Sequence, residues 1–145
     1  MHSPPVLIAE DNEDDLLLLR RAFEKAMVPH PLYVVRDGSE AIDYLSAQGN
    51  YTDRDLYPFP ALLLLDLKMP RQTGLDVLNW IRKRSVLSSL PVVVLSNSPE
   101  RIDSDRCYEL GARSYLVKPT DFAGLVELVK EAVARFAPTQ QEATS

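Results

Sequence analysis

Polar residues suited to magnesium-dependent phosphoryl chemistry close four apolar runs that lie far apart in this chain. Glu10-Asp11 follow Val6-Leu7-Ile8-Ala9, and Asp66 follows Ala61-Leu62-Leu63-Leu64-Leu65. Ser96 follows Val92-Val93-Val94-Leu95, and Lys118-Pro119 follow Tyr115-Leu116-Val117. Three carboxylates brought together repel one another and lose solvation, and a bound cation relieves both. Mg2+ takes about six oxygens in octahedral geometry. Asp11 and Asp66 would ligate it directly, Glu10 would hold a coordinated water, and the Lys68 backbone carbonyl would complete the protein's share. One Asp66 oxygen then stays free to attack phosphorus and form an aspartyl phosphate. Phosphoryl transfer has a loose transition state, so the remaining task is to neutralise the equatorial oxygens. Lys118 would meet one of them and the Ser96 hydroxyl, with the Asn97 N–H, another.

Such residues converge only if the runs are strands of one parallel sheet, whose carboxyl ends share a rim. Strand signals fall at roughly 6–9, 32–36, 61–65, 91–95 and 114–117, all rich in Val, Ile and Leu. Continuous apolar runs of this kind suit strands covered on both faces. Helix signals alternate with them at roughly 12–27, 38–47, 74–84, 99–110 and 120–136. Asn12 is placed to cap the first helix, Thr120 the last, and Gly111 to end the fourth. Five βα units with right-handed crossovers predict a doubly wound α/β fold, a three-layer sandwich. The strand order 2-1-3-4-5 is favoured because it sets Glu10-Asp11 beside Asp66. Met69-Pro70 and Gly74 would shape the loop beyond Asp66, and Lys118-Pro119 invites a cis peptide that turns the lysine over the rim.

The composition fits one domain. At 145 residues the chain can bury a single core, and 46% apolar with 26% charged residues is ordinary for a globular protein. A net charge of −5 argues against a nucleic-acid surface, and no run reaches a membrane-spanning length. No secretory signal is visible, and a single cysteine, Cys107, suits a reducing cytoplasm. His30, between two prolines, reads as a plain loop residue, while Trp80 and Cys107 read as structural. Residues 48–60 form a long connection whose aromatics would pin it against the domain edge or offer a partner surface, the rival to the homodimer face below. Residues 1–137 are expected to form the domain and 138–145 a disordered tail.

Together Glu10-Asp11, Asp66-Leu67-Lys68-Met69-Pro70 with Gly74, Ser96, Tyr115 and Lys118-Pro119 resemble the receiver domain of two-component response regulators. The resemblance implies a flavodoxin-like (βα)5 fold. It also implies that Asp66 accepts phosphate from a sensor histidine kinase, and that the domain catalyses only this transfer and its own dephosphorylation. Two positions depart mildly: Glu10 stands where many members have Asp, and Thr73 where many have an acid. A narrower resemblance, to stand-alone receivers paired with phytochrome-type histidine kinases, rests on softer signals. These are Asp37-Gly38-Ser39-Glu40-Ala41-Ile42-Asp43-Tyr44-Leu45, the long loop, and Tyr108-Glu109-Leu110-Gly111-Ala112. No output domain is expected after the last helix.

Other classes fit less well. A haloacid-dehalogenase-type hydrolase resembles Asp-x-Asp at its nucleophile, and Lys68 holds the second position here. A pseudo-receiver, a binding module without phosphorylation, would have lost an acid or the lysine. A flavodoxin would place cofactor phosphate where three acids repel it.

The surface carries three further expectations. Ser96 and Tyr115 form a switch: Ser96 moves toward a phosphoryl group, and Tyr115 rotates into the space it leaves. Leu16, Leu19, Phe23 and Met27 share the inner face of the first helix, which points Leu18 outward as a docking contact for the kinase. Ile102, Cys107 and Leu110 would be the buried side of the fourth helix, leaving Tyr108, Tyr115 and Leu128 as an apolar patch for a two-fold homodimer.

Overall fold

A computed structural model describes residues 4–138. Five four- or five-residue strands form: β1 Val6–Ala9, β2 Leu32–Val35, β3 Leu62–Leu65, β4 Val92–Ser96 and β5 Ser114–Val117. They alternate with α1 Glu13–Lys25, α2 Gly38–Ser46, α3 Gly74–Arg82, α4 Arg101–Glu109 and α5 Phe122–Phe136. All strand pairs are parallel, in the order β2-β1-β3-β4-β5. This is the flavodoxin-like order expected above.

Alternation of side chains along the strands divides the core in two. Leu7, Ala9, Leu63, Leu65, Val92 and Val94 face α2, α3 and α4 through Tyr44, Val77, Leu78 and Cys107. Val6, Ile8, Leu62, Leu64, Val93 and Leu95 face α1 and α5 through Leu16, Phe23, Val126 and Val129. The inner strands β1, β3 and β4 are buried along their whole length, which explains their unbroken apolar sequence.

Register sets the rim. Ala9 pairs with Leu65 and Val35, so Glu10 and Asp66 leave adjacent strands at one level. Ser96 pairs with Val117, so Lys118 follows directly beyond it. The backbone continues these pairings past the strands. The Glu10 N–H donates to Val35, Asp66 N–H to Ala9 and Lys118 N–H to Ser96, at 3.0, 3.1 and 2.7 Å.

Helix starts are fixed by side chains. Asn12 Oδ1 accepts from the Asp15 N–H at 2.9 Å, and Thr73 with Asp76 forms a reciprocal capping box on α3. Asp121, not Thr120, caps α5: its Oδ1 accepts from the Gly124 N–H at 2.7 Å. Both residue types can cap, and the helix begins one residue later than the sequence suggested. Gly111 ends α4 with φ of 100°, a conformation a side chain would strain.

Three further expectations are corrected. Met27 is exposed rather than on the inner face of α1, because the helix stops at Lys25 and Met27 turns to φ 57°. Ile102 is 75% exposed; α4 is short and only its Cys107 is buried. His30 is buried, its ring nitrogens 2.6 and 2.7 Å from the carbonyl oxygens of Pro4 and Ala137, so it ties the two ends of the domain together. Local proline spacing carries no information about that long-range contact. The expected tail beyond Pro138 lies outside the described residues.

Candidate functional site

The rim brings Glu10, Asp11 and Asp66 together, with one carboxylate oxygen from each lying within 4.8 Å of the others. Glu10 is only 2% exposed and Asp66 9%, while Asp11 opens to solvent. Lys118 reaches in from the end of β5. Its Nζ donates to Glu10 Oε1 at 2.9 Å and to Asp15 Oδ2 at 3.0 Å, and stands 3.9 Å from Asp66 Oδ2. The Asn12 N–H donates to the other Glu10 oxygen at 3.2 Å, and the Lys68 N–H lies 3.4 Å from Asp66 Oδ1. Gly74 lets α3 pack against this loop, since a Cβ there would overlap the Asp66 carbonyl and the Leu67 Cα.

Burial and the neighbouring Glu10 raise the Asp66 carboxyl to about 7, against the opposing pull of Lys118 and the Lys68 N–H. Near neutrality the metal-free Asp66 carboxyl is thus partly protonated. A cation among the three acids would favour its charged form, and three hard carboxylate oxygens suit a divalent ion of the magnesium type. Desolvation lowers the Lys118 ammonium, but Glu10, Asp15 and Asp66 together outweigh it and raise the net value. Lys118 therefore stays charged throughout the physiological range.

Ser96 is buried at the end of β4, where its Oγ accepts from the Ser98 N–H at 3.1 Å. The Ser98 carbonyl in turn accepts from Tyr115 Oη at 2.7 Å. The Tyr115 N–H donates to Tyr108 Oη at 3.0 Å. A continuous chain of contacts thus runs from the rim to the β5 edge. Ser98 also donates to Asp103 at 2.6 Å, which anchors the start of α4 to the same loop.

The structure brings Glu10, Asp11, Asp66 and Lys118 together and sets Ser96 at the end of β4, with two differences from the sequence expectation. No cis peptide occurs among the described residues, so Lys118–Pro119 is trans. Trans is the form most X–Pro bonds take, and from it Lys118 already reaches the acids. Asp15, one of three acids in the first turn of α1 and given no role in the site from the sequence, is a direct partner of Lys118. The signal available was its position in the first turn of the helix that follows Glu10-Asp11; that α1 lies beside Lys118 emerges only from the fold. Leu18 is 43% exposed and lines a small cleft with Asp15, Leu19, Asn97 and Lys118. At the other edge, Tyr108 is exposed, Tyr115 partly buried, and Leu128 packs partly into the core.

A doubly wound sheet with an acidic pocket at its carboxyl rim, a hydroxyl on β4 and a lysine after β5 defines a phosphoryl-receiving class of domain. The chain belongs to the response regulator receiver domain family, which its residues 6–130 match. It is 35% identical over 130 residues to response regulator Rcp1 of Synechocystis sp., covering 88% of this chain and 86% of that protein. The structure of response regulator RPA3017, in red light signaling of R. palustris, superimposes with a TM-score of 0.88 at 35% identity, covering 94% of this chain and 95% of that one. The phosphorylated cyanobacterial phytochrome response regulator RcpA gives 0.85 at 34%, covering 94% and 96%. Rcp1 has also been solved in a Mn(2+)-bound form, at a TM-score of 0.81, 32% identity and coverage of 94% and 96%. Receiver domains bind a divalent metal at this acidic pocket. Among the described residues, no helix is long and apolar enough to cross a membrane.

Proposed function

We propose that this chain accepts a phosphoryl group on Asp66 from a sensor histidine kinase, with Mg2+ in the acidic pocket. One observation carries the reading: a nearly buried carboxylate stands among two other acids and a lysine, at the rim of a receiver fold. Asp11 and Asp66 would hold it directly, Glu10 through a water, with the Lys68 carbonyl completing the protein's share. When bound, Mg2+ supplies the positive charge that lets a phosphoryl anion approach three carboxylates. The chain's own groups do the rest. Asp66 attacks phosphorus, so a P–O bond forms as the donor's N–P bond breaks, and the imidazole keeps the electron pair and takes up a proton. Lys118 and Ser96 stabilise the transferred oxygens, and Ser96 hands the change to Tyr115 through Ser98. Beyond its own phosphorylation and dephosphorylation the domain carries no turnover. Incubation with acetyl phosphate and Mg2+ should add one phosphoryl mass, and EDTA or Asp66→Asn should abolish it. Full labelling of Asp66→Asn would overturn the assignment.

The donor is proposed to be a phytochrome-type kinase in the cytoplasm, since RcpA is a phytochrome response regulator and RPA3017 acts in red light signaling. Leu18, exposed beside the Lys118 cleft, is its docking contact. Leu18→Lys should slow transfer from the kinase and leave acetyl phosphate labelling intact; equal slowing of both would remove Leu18 from docking. Output is assigned to a homodimer face around Tyr108, Tyr115 and Leu128. Light scattering with and without beryllofluoride reads that state, and a monomer under both conditions would dismiss it.

A further inference from the structure

We propose that Asp15 is a positioning residue that holds Lys118 away from Asp66, so that breaking the Asp15–Lys118 contact is a step in reaching the phosphorylated state. This rests on Asp66 being the phosphoacceptor. Lys118 offers three N–H donors. Glu10 takes one at 2.9 Å and Asp15 another at 3.0 Å, while Asp66 Oδ2, at 3.9 Å, is beyond hydrogen-bonding distance. The ammonium therefore rests between Glu10 and α1, short of the nucleophile.

A phosphoryl group on Asp66 presents new anionic oxygens, and Lys118 must shift toward them. Its two present partners differ in what they lose. The Glu10 side chain is 2% exposed, so leaving it unpaired would strand a buried charge. The Asp15 side chain is 35% exposed, and water can replace the ammonium there. Asp15 is thus the contact given up. Its backbone is fixed by the Asn12 cap in the first turn of α1, which limits how far the short carboxylate can follow the lysine. The same carboxylate borders the cleft beside Leu18, so the move alters the α1 surface where the kinase is proposed to dock.

Beryllofluoride, as a mimic of the phosphoryl group, tests this in the presence of Mg2+. Asp15→Asn should tighten its binding about two- to fivefold, the range of a partly exposed ion pair. Asp15→Glu should return toward the wild-type value. In a Lys118→Gln background the Asp15→Asn effect should vanish, and acetyl phosphate labelling rates, followed by intact mass, should show the same pattern. Thermal melting checks that each variant folds. An equal effect in both backgrounds would mean that only overall charge matters, and unchanged or weaker binding by Asp15→Asn would overturn the role outright. If wild type takes no label from acetyl phosphate, the phosphoacceptor reading falls and this inference with it. If wild type labels and Asp15→Asn matches it, only the role of Asp15 fails.

Discussion

Two cations organise polar clusters in this molecule, and they differ in how fully they are balanced. Arg54, in the connection between α2 and β3, donates to the carbonyls of Tyr44, Leu45 and Tyr57, each at 3.0 Å. Its guanidinium also lies over the rings of Tyr44 and Phe59, at 5.8 and 5.7 Å from their centroids. Tyr33, Tyr44, Tyr51 and Tyr57 pack edge-on or tilted against one another. Its hydrogen-bond partners are neutral backbone groups, and the cluster closes on itself. Lys118 instead faces Glu10, Asp15 and Asp66, with Asp11 nearby, so negative charge is in excess. A balanced hub holds structure, whereas an unbalanced one is completed by something from outside.

The largest expected effect follows from that excess. Asp11→Asn removes one of the two proposed direct ligands and should weaken Mg2+ binding by at least about tenfold, in keeping with the loss of a ligating carboxylate. Calorimetric titration reads it. Arg54→Ala should leave Mg2+ affinity within about twofold, because the guanidinium contacts only the Tyr44, Leu45 and Tyr57 carbonyls and two rings, none of them a proposed ligand. A comparable loss from Arg54→Ala would mean that the two clusters are coupled and that the distinction fails.

Stability should show the opposite ranking. Arg54→Ala leaves three carbonyls without their donor and strips two ring contacts, which should lower unfolding free energy by about 2–3 kcal/mol. Urea denaturation at neutral pH would measure it. Asp11→Asn, exposed and mutually repelled by its neighbours, should be neutral or slightly stabilising without metal. An Arg54→Ala loss under about 0.5 kcal/mol, the range of an ordinary surface change, would demote that hub to a surface feature.

The two clusters also differ in how far the sequence revealed them. Acids at the ends of Val/Leu runs were legible because a buried parallel strand needs an unbroken apolar sequence, and its end marks the rim. The long connection was legible as aromatic, but Arg54 as its hub was not, because its partners are backbone carbonyls that no residue type announces. Asp15 was hidden for a related reason. One helix-start acid resembles another until the fold brings Lys118 to it from 103 positions away. Ile102 misled because a nine-residue helix offers too few apolar positions to define a face. His30 is held by carbonyls of Pro4 and Ala137, contacts set by where the chain ends meet.

The smallest effect sharpens the comparison by pH. Without metal, burial and Glu10 push the folded Asp66 carboxyl up to about 7, against 3.8 when unperturbed. Below that lower value both states are protonated there, and the site contributes no pH dependence. Between the two values the folded state holds the extra proton, so stability falls as pH rises and levels off above about 7. Lys118, raised from 10.5, keeps its charge across this window and does not obscure the trend. Asp66→Asn removes the ionisation, so its stability advantage over wild type should grow between pH 4 and 8. The full rise of the Asp66 carboxyl would correspond to about 4 kcal/mol, and solvent access with Lys118 relaxation reduces this to about 1–2 kcal/mol. The Arg54 cluster should give no such slope, because burial pushes Tyr51 up to about 12 and Tyr44 higher still. The Arg54→Ala deficit should therefore be the same at pH 5 and pH 8. Urea midpoints for wild type, Asp66→Asn and Arg54→Ala at both values, with EDTA present, decide the matter. An Asp66→Asn advantage that is flat with pH would show Asp66 fully ionised without metal, and the contrast with the aromatic hub would be lost.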